Sequence, residues 1–182
     1  MTGDTPCWYL ALEANDTLRQ KIGALQTELF RQFGLVEARL HPPLFFLYRL
    51  TGMDAGSGPT KESGKMLLSF GKRVLSTSKL TSKLTIEPPL FLGDEFVLPI
   101  KPLPQREEQV LANNIRLEKP EQAAEGFLLF SKDRSFLPES PAKIEEMGKH
   151  FFPAQEKLGK MSPLIIRLDT FEDMGSSWTI YK

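Results

Sequence analysis

The groups that could transfer a proton or attack an electrophile near neutral pH are few: His41, His150 and Cys7. A nucleophilic machine needs a base beside its nucleophile. Cys7 and His41 meet only if the fold joins them, and nothing in their surroundings points that way. His41 precedes Pro42-Pro43, which suits a turn or strand end. His150, in Lys149-His-Phe-Phe152, suits a helix C-terminus, where it complements the dipole. One cysteine and two distant histidines lack zinc-ligand spacing, so neither metal nor cofactor is expected. The adjacent acids Asp94-Glu95, Glu107-Glu108 and Glu145-Glu146 do not face one another on a helix and read as solvated surface. Gly58-Pro-Thr-Lys-Glu-Ser-Gly64-Lys65-Met66 fails as a phosphate-binding loop. Its glycines stand one residue too far apart, and Met66 replaces the hydroxyl that would meet magnesium.

Two apolar runs, Leu44–Leu50 (LFFLYRL) and Gly126–Lys132 (GFLLFSK), each bring a cation to the end of a strand pattern. A base could stack on such an aromatic while the cation meets phosphate. Buried strands whose last residues surface explain the same pattern. The chain as a whole is neutral, with 23 basic and 23 acidic residues among 182. That excludes gripping a nucleic-acid backbone by bulk charge. The length fits one domain, residues 1–182, and no apolar stretch approaches a membrane span. With a single cysteine and no signal-peptide pattern, a cytoplasmic location is expected.

The elements that must position these residues follow from periodicity. Trp8–Ala14 reads as a buried strand. Asn15-Asp16-Thr17 offers caps, with Thr17 and Gln20 at capping-box spacing. Leu18, Ile22, Leu25, Leu29 and Phe33 form one helical stripe, ended by Gly34. Leu35–Leu40 reads as extended. Met66, Leu67, Phe70 and Val74 mark a second helix. Leu84–Leu92 and Glu95–Lys101 read as strands about Gly93-Asp94, with Pro88-Pro89 confining the first to an edge or bulge. Gln105–Leu117 reads as a helix stopped near Pro120. Ser140-Pro141 starts another. Leu164–Phe171 and Trp178–Tyr181 read as a hairpin. The sum is an α+β fold: two pseudo-symmetric lobes with mixed or antiparallel sheets around a central cleft, helices packed outside.

This order of elements resembles the 2H phosphoesterases, the family of the 2′-5′ RNA ligase-like proteins. Leu44–Gly52 (LFFLYRLTG) is similar to the family's first motif strand, close to Leu-His-x-Thr-Leu-x-Phe-Leu-Gly, and Glu125–Lys132 (EGFLLFSK) stands where the second is expected. In that family two His-x-Thr pairs face each other across a cleft; the histidines exchange protons and the threonines hold phosphate. Carried over, the first pair falls on Phe45 and Leu47, the second on Gly126 and Leu128. None has a side chain that moves a proton or donates to phosphate. A register slip would make His41 the first histidine, with Pro43 in the threonine's place.

The resemblance therefore implies the fold without the phosphodiesterase chemistry, and no catalytic residue. Strand alternation puts Phe45, Leu47 and Arg49 on one face, and Gly126, Leu128, Phe130 and Lys132 on the equivalent face of the other strand. Those seven residues are the expected lining of an apolar cleft with a cationic rim; whether the loops Thr51–Thr60 and Arg134–Pro141 cover it is not legible in the sequence. A small molecule or a protein is the expected partner, with RNA or a nucleotide as the alternative. A cleft filled by the chain's own side chains is the competing expectation.

Overall fold

A computed structural model describes residues 7–36, 38, 41–53, 58–77, 84–103, 106–121, 125–131, 140–171 and 175–181. The chain folds as α+β with two antiparallel sheets. The larger contains β11 (Gly175–Tyr181), β10 (Ser162–Phe171), β1 (Cys7–Glu13), β2 (Leu44–Thr51), β7 (Arg116–Glu118) and β6 (Gln109–Val110), in that order. In the smaller, β5 (Glu95–Lys101) pairs on one side with β8 (Gly126–Ser131). On its other side β4 (Leu90–Leu92) and β3 (Thr85–Ile86) follow one another, and β9 (Glu156–Lys157) lies beyond β3. Pro88-Pro89 falls in the break between β3 and β4, because neither proline donates a ladder hydrogen bond.

Helix α1 (Asp16–Phe33) is capped by Asn15, whose Oδ1 accepts from the Leu18 N–H at 2.9 Å. Asn15, not Thr17, is thus the cap. Gly34 ends the helix in the left-handed region (φ 68°), its N–H bonded to Phe30 O. Leu18, Ile22, Leu25 and Leu29 face the sheet and are buried, each contributing about 1.5–3 kcal/mol. Helix α2 (Lys61–Thr77) lies on the same side. Its Gly71 is close enough to Pro163 that an added Cβ would stand 2.7 Å from that ring. Helix α3 (Pro141–Phe151) starts at Ser140 with proline in its first turn and packs Gly148 onto Pro89 and Phe96 of the smaller sheet. Glu145 on α3 accepts the Phe91 N–H of β4 at 3.0 Å.

Two expectations are corrected. Within Leu35–Leu40 the described residues are not extended: Val36 and Ala38 are helical, Ala38 N–H bonding Leu35 O. The described part of Gln105–Leu117 is not a helix but holds β6, a 3₁₀ turn at Ala112–Asn114 and the first residues of β7, with β6 and β7 paired as a hairpin. Asn114 adopts φ 59°, a conformation asparagine tolerates, so Asn113-Asn114 is a reversal rather than helix interior.

The would-be phosphate loop is a helix start. Thr60 Oγ1 accepts the Ser63 N–H at 3.2 Å, and Gly58 (φ 68°) leaves no room for a Cβ beneath the Trp8 ring. Among the described residues no helix is long and apolar enough to cross a membrane.

Candidate functional site: the junction of the two apolar strands

Strands β2 and β8 lie beside one another where the sheets meet; the Phe45 and Phe127 ring centroids are 6.3 Å apart. Each strand carries a bulge at the same place. Against β1 the register shifts between Leu10 and Ala11, so that Leu10 opposes Tyr48 and Ala11 opposes Phe46, leaving Leu47 extra. Against β5 it shifts between Phe96 and Val97, so that Phe96 opposes Phe130 and Val97 opposes Leu128, leaving Leu129 extra. Matching the bulges pairs Phe45 with Phe127, Phe46 with Leu128 and Leu44 with Gly126.

A bulge resets alternation, and this changes the expected face. Phe45, Leu47 and Tyr48 all join the helix-side core with Leu10, Leu12 and the α1 stripe. Leu44 and Phe46 turn to the far face, where they cluster with Tyr9, Ala11, Val97, Leu128 and the β10 residues Leu164, Ile166 and Leu168. Arg49 opposes Tyr9 and belongs at this far face's end. So Phe45, Leu47 and Arg49 do not share a face; Phe45 and Leu47 are wholly buried under the helices. The first-half counterparts of Gly126 and Leu128 stand one residue earlier, at Leu44 and Phe46. Phe130 likewise turns to the helix side, against Phe91 and Phe96. Lys132 and most of the loop Arg134–Pro141 lie outside the described residues.

The far face is packed. Leu44, Phe46, Val97, Leu128 and Ile166 are each under 5 % exposed. At Gly126 an added Cβ would fall inside van der Waals contact with the backbone oxygen of Leu98, so no side chain fits there without moving β8 from β5. His41 stands outside β2, in the turn before it, and is buried; its carbonyl accepts Gln26 Nε2 of α1 at 2.8 Å. That bond ties the turn before β2 to α1. His150 is on α3, edge-on to Phe151.

The polar groups of this region gather at one end. Arg49 Nη1 bonds Glu121 Oε1 at 3.0 Å and Nη2 reaches Cys7 Sγ at 3.9 Å. Burial lowers the Arg49 pKa, but Cys7, Tyr9, Glu121 and Glu118 outweigh it and raise the pKa overall. Beside Phe46, with centroids 4.9 Å apart, Tyr9 is pushed up to about 12 by burial, then by Cys7, against the pull of Arg49. Its phenol keeps its proton at neutral pH and is not a base there. Thr51 Oγ1 donates to Glu118 at 2.7 Å.

Two residues of the junction were hidden from the sequence reading. Tyr9 looked like one aromatic of a buried strand. Arg106 looked like a helix residue, yet its guanidinium lies over the Phe45 ring, 4.7 Å from the centroid. Burial lowers its pKa, with Tyr48 and Glu125 opposing. Among the described residues no group of three His, Cys, Asp or Glu side chains could hold a metal ion. Comparison of the chain with protein-family models, curated proteins and solved structures finds no match.

Proposed function

We propose that this protein is a catalytically silent 2H phosphoesterase-like domain that works by binding a partner near the degenerate cleft. The observation that carries this reading is the matched pair of bulged strands. Where two His-x-Thr pairs would face one another, the equivalent positions hold Leu44 and Phe46, Gly126 and Leu128. General acid–base catalysis contributes about 10²–10⁴-fold, and none of these side chains carries a proton to move. The steric closure at Gly126 supports the reading further, since a histidine has no space there.

The burial of the far face favours a filled cleft over an open one, so the working surface is the rim. Arg49 is about one-third exposed and its partner Glu121 is 82 % exposed, so an incoming anionic group can replace that carboxylate at small cost. Stacking of a nucleobase on Phe46 is disfavoured because the ring is 4 % exposed. Incubation with 2′,3′-cyclic nucleotides tests the reading: no hydrolysis above the buffer rate is expected. Turnover that disappears in His41→Ala would overturn it.

A further inference from the structure

On another part of the molecule, a groove of about 760 Å³ separates the last turns of α2 from the segment that leads into β10. Its walls are fixed. At Gly71 the helix touches Pro163, and beyond that contact the two diverge. The opposite wall is held at Leu158, whose N–H donates to Leu84 O at 2.8 Å, and at Gly159, which abuts the side chain of Asn15, the α1 cap. The volume lies within the roughly 300–1,000 Å³ of small-molecule sites.

The lining is one-sided in charge. Lys72 and Lys160 contribute two ammonium groups, while no described residue of the lining is a carboxylate. Neither lysine has an ion-pair partner among the described residues. In a chain with equal numbers of acids and bases, this is a local excess of positive charge. Between the lysines the lining is mostly apolar, from Leu75, Pro163 and the edge of the buried Met161, with Ser76 and Ser162 beside them. Lys72 sits just over one turn before the C-terminus of α2, where its charge offsets the partial negative charge of the carbonyl end.

The geometry points to a binding site for a free anionic amphiphile, a short apolar chain ending in a carboxylate, with Lys72 and Lys160 holding the anion and Leu75, Met161 and Pro163 covering the chain. Octanoate is the probe, followed by amide chemical shifts of the full chain. Shifts at Lys72–Ser76 and Leu158–Ser162 are expected with octanoate, and binding at least tenfold weaker with acetate or 1-octanol. Both lysines are exposed, so Lys72→Gln/Lys160→Gln should fold normally and lose octanoate affinity at least tenfold. Shifts confined to other regions, an unchanged affinity in the double variant, or equal affinity for 1-octanol would each overturn the proposal. Lysine-dependent sedimentation with phosphatidylglycerol vesicles, without binding of free octanoate, would assign the lysines to a membrane surface and overturn it too.

Discussion

On the helix side of β2, Phe45, Leu47 and Tyr48 share one core with α1 and α2; on the far side, Leu44 and Phe46 pack against β1, β10 and the smaller sheet. Both faces are almost fully buried, but they are closed in different ways. The helix side is closed by whole elements, whose stripes are visible in the sequence. The far side is closed by strands of the two sheets meeting each other, with a single polar cluster, Cys7, Tyr9, Arg49 and Glu121, at its end. A face can therefore be as dry as a core without a helix to cover it.

Adjacent residues on β2 offer the sharpest way to break this comparison. Phe45→Ala and Phe46→Ala should each cost about 3–5 kcal/mol in urea unfolding, since both leave a cavity in packed surroundings. A cost below about 1 kcal/mol for Phe46→Ala alone would mean the far face is open. Next is Tyr9, the polar side chain embedded in that face. Its folded pKa of about 12 exceeds the usual 10, so the folded protein keeps a proton that the unfolded chain loses. The stability this represents is fully present below pH 10 and falls as pH rises toward 12, on the order of 2–3 kcal/mol. Subtracting the Tyr9→Phe profile from the native one should isolate that loss; identical slopes between pH 10 and 12 would place the phenol in water. The smallest effect comes from two glycines. Gly126→Ala should destabilise by about 1–3 kcal/mol through overpacking against Leu98. Gly23→Ala, with open space around it on α1, should stabilise by about 0.5–1 kcal/mol. Equal responses would show that β8 yields freely.

Much of the fold was legible because the responsible signals are local. The α1 stripe, Gly34 and Ser140-Pro141 each act within a few residues, and the helices begin and end where those residues demand. Leu164–Phe171 and the strand holding Trp178–Tyr181 pair as read. Gln105–Leu117, which reads as a helix stopped near Pro120, instead holds a hairpin, because the reversal at Asn113-Asn114 is a backbone event that no single residue type announces. The site departs from its reading for a different reason. A continuous apolar run such as LFFLYRL does not mark where one residue is extra, and the bulge at Leu47 is set by pairing with β1, not by β2 itself. Everything after the bulge changes sides, so Arg49 and Phe45 separate although the sequence places them two steps apart on an alternating strand.

Gly126 carries one more implication, for the order in which changes to this site can accumulate. Its neighbour across the ladder is main chain, which cannot rotate away as a side chain can. A substitution that brought an imidazole to this point would meet the Leu98 carbonyl before it met any substrate. The strand spacing must widen first, and that step alone sacrifices stability. The glycine thus acts as a lock on the spacing of β5 and β8: a larger residue there requires at least two coordinated changes, the first of them unfavourable.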